Sequence, residues 1–405
     1  MWAATSENSP STLSNDGKGS MTSNHKNFGH DLAHIQKNVE AIVLENSADQ
    51  KIVVVPDWQG RTMTSTAQGD QGFSYGWVNY DRIESGKVEP QINLFGGEDR
   101  FWISPEGSQF SFFFPPGAKM ELGQWRTPDE LDMQPFELVD HQPRLVRFRK
   151  AMCLTNFAGH DFEMLVERTV KINSDKETER HLGMQIPGGV FSVSHESHNE
   201  ITNDGSQAWH PERGLPAAWM LCMNKPSDSA TVMVPFRPGD LEERGKIVTA
   251  DYFGRLDSKR LRICEDSNLI YFVGDGKLRS KLGVSFQRAV NYLGAWDAQH
   301  GCLTIVQFNL PDQVDVGYTN NLWKHVDDPY QGDVINSYND GPNEHGEMMG
   351  PFYELETLSP ALNLQPGDSY THIHRTLHLE GDRDGLDSVC EHVFGVNTAK
   401  IEQVF

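Results

Sequence analysis

The sequence contains no long uninterrupted apolar run. A membrane-spanning helix needs about 20 predominantly apolar residues, and no stretch of this 405-residue chain approaches that length. The opening MWAATSENSPSTLSNDGKGS also lacks the apolar segment of a secretory signal peptide. The sequence therefore predicts a soluble protein without a membrane span, cytoplasmic if the chain is complete and periplasmic or secreted if a signal peptide has been removed.

Basic residues are scarce relative to acidic ones. The chain has 35 Lys and Arg residues against 57 Asp and Glu residues, which gives a formal net charge of −22. Such a surface repels the phosphate groups of nucleic acids and of anionic lipids. A neutral ligand such as a sugar is not affected by this field, so we expect a sugar or glycan ligand and no nucleic-acid partner.

Sequence motifs for common cofactors are missing. There is no P-loop, no G-x-G-x-x-G, no G-x-S-x-G and no H-E-x-x-H, which argues against nucleotide cofactors and serine-hydrolase chemistry. The cysteines are widely spaced and form no C-x-x-C pair, so they predict neither a disulfide framework nor a zinc ribbon. We expect no cofactor and interpret most cysteines as small buried hydrophobic residues. They are Cys153, Cys222, Cys264, Cys302 and Cys390.

Short strand-like runs dominate what is present. They are β-branched or alternating, many are bounded by Gly, Asp, Asn or Pro, and no strand–helix rhythm accompanies them. We predict an all-β fold with few short helices, one beginning near Asp31 and one over residues 386–395. Residues 1–26 are predicted to form a disordered tail, and residues 27–405 a single domain. The predicted strands cover residues 41–45, 51–56, 166–172, 189–196, 260–264, 268–276, 302–310 and 369–379.

The late segment FYELETL (352–358) carries two acidic residues on one face of a predicted strand. Alternation places Glu354 and Glu356 on the same side, roughly 6–7 Å apart at Cβ. Like charges at this separation raise the pKa of one partner, and a carboxyl that titrates near neutrality can act as a general acid or base. The alternative is an ordinary polar strand face that is solvated or neutralised by Lys and Arg.

Three segments carry a family resemblance. LETLSPALNLQPGDSYTH (355–372) resembles the C-terminal signature of the galactose mutarotase-like, or aldose 1-epimerase-like, superfamily. VVVPDWQGRTMTST (53–66) resembles its opening strand pair, and NLFGGEDRFW (93–102) resembles a Gly-Gly turn that follows in relatives. GGEDRFW, YNDGP and PFYELETLSPA also resemble an uncharacterised bacterial family in that superfamily. The resemblance implies a large antiparallel β-sandwich, the supersandwich of the superfamily.

The resemblance also implies chemistry. In mutarotases a Glu removes the anomeric hydroxyl proton and a His protonates the ring oxygen, with the sugar held in a cup on one sheet. Glu356 matches the position of the base. The position of the acid is not matched, because GLPAAWML (214–221) contains no His. His195, and after it His210, are therefore the predicted acids.

Further residues are predicted to bind the sugar. The two arginines among them would hold hydroxyls or a carboxylate, and Trp102 would stack on a sugar face. The alternatives are salt bridges, a tight glycine turn, a core tryptophan and a surface turn. The predicted substrate-binding residues are Arg61, Glu98, Asp99, Arg100, Trp102, Asn339, Asp340 and Glu354.

Three histidines of the last predicted strand share one face. His372 and His374 are roughly 6.6 Å apart along the strand and could share a metal, whereas His378 lies roughly 13 Å beyond His374. The carboxylate spacing of metal-binding cupins is missing. We therefore predict an ordinary strand face and no metal, with His372 and His374 as weak candidates.

These patterns together predict a carbohydrate-binding or carbohydrate-active protein, of isomerase type if it is an enzyme. One alternative is a non-catalytic sugar-binding module with Trp102 or Trp219 as an aromatic platform. Another is a glycoside hydrolase that uses Glu354 and Glu356 as paired carboxylates. A third is a cupin-like metal enzyme at His372 and His374.

Overall fold

The chain forms antiparallel sheets with few short helices. The computed structural model describes residues 27–342 and 346–405, so the predicted tail at 1–26 lies outside the described residues. Within those ranges there are eighteen strands in three sheets, which confirms the predicted all-β class. In chain order they are β1 (Ile42–Glu45), β2 (Lys51–Val55), β3 (Arg61–Thr66), β4 (Arg100–Ser104), β5 (Glu137–Gln142), β6 (Leu145–Thr155), β7 (Asp161–Ile172), β8 (Val190–Asn203), β9 (Ala217–Asn224), β10 (Ala230–Pro235), β11 (Leu261–Cys264), β12 (Leu269–Val273), β13 (Ser280–Ser285), β14 (Tyr292–Asp297), β15 (Cys302–Phe308), β16 (Asp333–Asn339), β17 (Tyr353–Leu358) and β18 (Ser369–Gly381).

The strand order is largely non-local. The largest sheet has ten strands in the order β11-β12-β10-β14-β15-β18-β8-β7-β6-β5. A second sheet has the order β13-β16-β17-β9-β4, and a third has the order β1-β2-β3. Neighbours such as β18 and β8 are far apart in sequence, so residues of one site come from distant segments.

The helices are short; two of them lie at the predicted places, near Asp31 and over 386–395, and the others were not predicted. The first begins after Asn27, whose side chain accepts a hydrogen bond from the amide of His30. The helix predicted over 386–395 begins earlier, because Asp382 caps it through the amide of Gly385, and it ends before Gly395 at φ 72°. The helices are α1 (Phe28–Asn38), α2 (Tyr80–Ser85), α3 (Asp129–Asp132), α4 (Asp175–Leu182), α5 (Leu241–Arg244), α6 (Arg383–Phe394) and α7 (Thr398–Glu402). Across the described ranges, none of these helices combines the length and apolarity that crossing a bilayer requires.

The five-stranded sheet packs one face against the ten-stranded sheet. The Thr357 hydroxyl lies 2.9 Å from a ring nitrogen of both His372 and His374, and the Cys222 thiol lies 2.9 Å from the other ring nitrogen of His374. His372 and His374 therefore share one face of β18, as predicted, and that face contacts the smaller sheet. Because side chains alternate along a strand, Glu354 and Glu356 point to the opposite, outer face of that sheet.

A buried ion pair joins all three sheets. Arg168 of β7 pairs with the Asp99 carboxylate, and both side chains are fully buried. Arg168 also donates to the Gly60 carbonyl at 3.2 Å, just before β3. Asp99 accepts a hydrogen bond of 2.8 Å from Ser197 on β8. Asp99, predicted to bind substrate, has its carboxylate engaged in this pair between the sheets.

We expect Asp99→Asn to destabilise the protein strongly. The substitution leaves the Arg168 guanidinium buried without an anionic partner, which costs about 3–5 kcal/mol of unfolding free energy. Urea unfolding followed by tryptophan fluorescence measures the loss.

The matched control is Arg149→Ala on the neighbouring strand β6. Its pair with Glu167 is exposed, with nitrogen and oxygen 2.7 Å apart, and solvent screens such a pair. We therefore expect Arg149→Ala to change the unfolding free energy little. Equal losses in the two variants would contradict a special role for the buried pair.

Candidate functional site

The outer face of the five-stranded sheet collects charged side chains from four strands. Glu356 of β17 lies opposite Asn336 of β16, and Glu354 two residues earlier shares its face. Lys281 of β13 and Arg100 of β4 reach this face from the two edge strands. All five side chains are buried. We call this set the outer acid cluster, together with Glu106 and Asp333.

Glu356 has one occupied and one free carboxylate oxygen. Its Oε2 accepts hydrogen bonds from the Trp219 indole at 2.9 Å and from the Lys281 ammonium at 3.1 Å. Within residues 27–342 and 346–405, its Oε1 and the neighbouring Asn336 Nδ2 are buried without a hydrogen-bond partner. A buried polar atom left without a partner costs about 1–3 kcal/mol, so these two atoms are suited to bind a polar ligand.

Glu106 is, with Lys281 and Asp333, one of the charged residues of this cluster that no sequence pattern identified. It follows β4, and its amide donates to the Asn321 side chain at 2.7 Å, which fixes the turn. Burial raises the pKa of Glu106 to about 7; nearby Glu356 adds to the increase and Lys281 opposes it. A single Glu in the turn PEG has no spacing pattern, so only the fold identifies it.

Two more carboxyls of the outer acid cluster hold their protons to unusually high pH. Burial raises the pKa of Glu354 to about 8; Arg100, 2.9 Å away, opposes this and Glu356 adds to it. Burial raises the pKa of Asp333 to about 6, and Asp333 also accepts a hydrogen bond from Tyr252. Carboxyls that titrate near neutrality are suited to donate and accept protons at that pH.

Lys281 remains a strong cation in this setting. Burial alone would lower the pKa of its ammonium group, but the attraction of Glu356 and Glu106 outweighs burial and the pKa is raised. Arg100 is the second cation, and its guanidinium lies 4.2 Å from the centre of the Trp102 ring. Lys281 and Arg100 lie at opposite edges of the group of carboxyls. Their positive charges reduce the repulsion between the carboxylates.

Four tryptophans border the outer acid cluster. Trp102 meets Trp219 edge to face at 5.6 Å, and Trp125 stacks with Trp323 at 6.2 Å and 19°. Lys281 lies 5.2 Å from the Trp219 ring, which joins the aromatic and charged groups. Ligand pockets combine such aromatic walls with a few converging polar groups.

Arg61 supports the glycine turn. Its Nη1 donates to the Gly96 carbonyl at 2.9 Å and its Nη2 donates to Gln59 at 3.2 Å. Burial, together with the positive charge of the neighbouring Arg100, lowers the pKa of Arg61 to about 9. A Cβ on Gly97, at φ +115°, would lie 2.6 Å from the Arg61 side chain. Glycine at that position therefore allows the close approach.

Asn339 and Asp340 do not form a surface turn. Asn339 ends β16 opposite Tyr353, and its side chain accepts from the Gly276 amide and donates to the Leu278 carbonyl, both at 2.9 Å. Asp340 accepts from the Tyr338 hydroxyl at 2.5 Å and from two main-chain amides of residues 349–350. The turn interpretation is corrected, because cross-strand pairing continues through Asn339 and buries both residues.

The predicted acid histidines are not brought to Glu356. His195 lies on β8, fully buried between the sheets, with Nε2 3.3 Å from a Glu98 oxygen. His210 is exposed in the loop before the 3-10 turn Pro211–Arg213. Glu356 points out of the opposite face of the smaller sheet, and its charge raises the pKa of the Glu106 carboxyl.

Comparison with known proteins gives a family. A family described as being of unknown function (DUF6786) matches residues 26–405. The chain belongs to this family. This agrees with the resemblance to an uncharacterised family drawn from the sequence. A search of curated proteins found no match to the chain.

Solved structures of other proteins are similar at low identity. The Slr1438 protein of Synechocystis sp. PCC 6803 is 10% identical, with 85% of this chain and 96% of that chain covered and a TM-score of 0.48. A candidate aldose 1-epimerase of Escherichia coli K12 is 10% identical, with 85% and 99% covered and a TM-score of 0.46. A galactose mutarotase-like protein of Lactobacillus casei ATCC 334 is 12% identical, with 84% and 99% covered and a TM-score of 0.43.

The raised pKa of Glu106 predicts a pH-dependent contribution to stability. Folded Glu106 holds its proton up to about pH 7, whereas the ordinary value is 4.5. The folded state therefore binds more protons in this window, so stability falls as pH rises through it. We expect wild type to lose roughly 2–3 kcal/mol relative to Glu106→Gln between about pH 4.5 and 7. Urea unfolding at a series of pH values measures the difference, and parallel curves for the two proteins would contradict the raised pKa.

Proposed function

We propose that the outer acid cluster binds a carbohydrate and catalyses proton transfer at its anomeric centre, as an isomerase of the aldose epimerase type. The observation that supports this most directly is the free Oε1 of Glu356 beside Glu106, whose pKa is about 7. An acid and a base in one site, with environments that separate their proton affinities, is the arrangement such chemistry requires. The chain's likeness to galactose mutarotase-like proteins agrees with a sugar ligand.

The proposed reaction needs two proton transfers. Glu356 accepts the proton of the anomeric hydroxyl while Glu106 donates a proton to the ring oxygen. The bond between the anomeric carbon and the ring oxygen breaks, and an open-chain aldehyde forms. After rotation about the adjacent carbon–carbon bond, the ring oxygen attacks the other face of the carbonyl and both protons return. No other reactant is consumed.

The remaining groups of the outer acid cluster have positioning roles in this proposal. Lys281 holds the Glu356 carboxylate through Oε2, which leaves Oε1 directed to the sugar. Asn336 offers a free amide beside it for a sugar hydroxyl. Arg100 holds Glu354, and the tryptophan faces supply apolar contact for the ring carbons of the sugar.

We expect Glu356→Gln to lower the rate of anomer interconversion by about 10²–10⁴-fold, because an amide cannot accept the proton. Glu106→Gln should lower the rate similarly and abolish its decline above about pH 7, since the acid must be protonated. Polarimetry or proton NMR exchange of freshly dissolved aldoses and uronic acids measures the rates. Glu167→Gln on β7, in an exposed ion pair, is the matched control with unchanged activity.

Thermal-shift measurements with the same sugars separate the other outcomes. A ligand that binds only the folded state raises the unfolding midpoint. Binding that depends on Glu356 without interconversion would replace the isomerase by a sugar-binding module. Release of reducing sugar from glycans would replace it by a glycoside hydrolase. Neither binding nor turnover with any sugar class would overturn the proposal.

A further inference from the structure

A second cluster of chemically reactive side chains lies between the sheets, away from the outer acid cluster. Glu98, His195 and His378 each offer one ligand atom, and these three atoms lie within 4.8 Å of one another. All three side chains are fully buried. Two imidazoles and a carboxylate form a common ligand set for divalent transition metals.

Three separate segments supply these residues. Glu98 comes from the turn before β4, whereas His195 and His378 come from the adjacent strands β8 and β18. His195 lies opposite Thr376 in the register of these strands, so His378 is its diagonal neighbour on the same face. The fold therefore brings the three residues together without any local sequence motif.

The contact between His195 and Glu98 has the geometry of two ligands. Their Nε2 and Oε1 atoms are 3.3 Å apart, yet within the described ranges neither atom makes a hydrogen bond. The His378 Nε2 lies 3.2 Å from the other Glu98 oxygen. A tetrahedral ion with bonds of about 2.0–2.2 Å holds its ligand atoms roughly 3.3–3.6 Å apart, and the separation of His195 Nε2 from Glu98 Oε1 lies in this range.

The buried carboxylate of Glu98 also needs a compensating positive charge. Among the described residues, only the two histidines lie within ion-pair distance of its carboxylate. Arg168, a strong cation of the sheet interface, is paired with Asp99. Buried charges in proteins are paired or coordinate metals, and a divalent ion would satisfy Glu98 and both histidines together.

The surroundings of His378 hold its ring in an orientation suited to a ligand. Its Nδ1 lies 2.9 Å from the Thr304 hydroxyl on the neighbouring strand β15. The Tyr75 ring stacks on the imidazole at 4.1 Å and 5°. Metal-binding histidines characteristically use the second ring nitrogen in such a hydrogen bond, which fixes the tautomer and the ring plane.

We propose that Glu98, His195 and His378 bind a divalent transition metal ion, with Zn²⁺ as the best match to the nitrogen and oxygen ligands, and that this ion clamps the five-stranded sheet to the ten-stranded sheet. The site is inaccessible in the folded chain, so the ion enters during folding.

We expect protein purified after expression in zinc-supplemented medium, without an affinity tag, to contain close to stoichiometric zinc by plasma mass spectrometry. Unfolding with a chelator and refolding without metal should give a lower thermal midpoint, which Zn²⁺ added during refolding restores and Mg²⁺ does not. Refolding with Co²⁺ should give ligand-field absorption in the visible range, which reports the ligand set independently of stability.

His378→Ala and Glu98→Gln should abolish the zinc content and the cobalt spectrum. His372→Gln is the matched control, because His372 lies on the same strand face, is equally buried and contacts Thr357 instead. If a variant fails to fold, the cobalt spectrum of the refolded wild type still tests the proposal. Wild-type protein that contains no metal and takes up neither Zn²⁺ nor Co²⁺ on refolding would overturn it.

Discussion

The buried pair of Arg168 and Asp99 is the interaction on which the arrangement of the rest depends. It is placed where the three sheets meet, and neither partner can be moved without leaving a buried charge uncompensated. The residues on either side of Asp99 in the chain are thereby directed to different places. Glu98 meets two histidines between the sheets, and Arg100 meets Glu354 on the outer face. One short charged segment thus separates an inner, histidine-rich site from an outer, carboxyl-rich one.

The outer acid cluster contains more carboxyls than cations. Glu106, Asp333 and Glu354 keep their protons to higher pH because burial and mutual repulsion disfavour the ionised form. Lys281 restricts this effect by its contact with Glu356. Buried polar atoms without a hydrogen-bond partner lower the stability of the folded protein. A ligand that forms hydrogen bonds with them restores that stability. The polar atoms that lack a hydrogen bond in the free protein are therefore the ones with which a polar ligand can pair specifically.

Parts of this fold could be predicted from the sequence because they depend on neighbouring residues. The faces of β17 follow from alternation, and the end of α6 follows from Gly395. The partners of Glu356 could not be predicted, because Lys281 lies 75 residues away and its strand joins the sheet through β16. Glu98 and His378, 280 residues apart, meet for the same reason. Local patterns identify which side chains share a face, whereas the strand order decides what that face meets.

The buried histidines of β18 and the carboxyls of the outer acid cluster change charge at different pH values from those usual for their residue types. Burial lowers the pKa of His372 to about 3 and of His374 to about 4, with repulsion between the two adding to the effect on His372. These histidines are therefore neutral throughout the physiological range, and they act as hydrogen-bonding groups between the sheets. The outer carboxyls Glu106, Asp333 and Glu354, in contrast, change charge near neutrality. The fold thus keeps these histidines uncharged and places carboxyls close to one another, so that the carboxyl groups of the outer acid cluster are the ones suited to exchange protons near neutral pH.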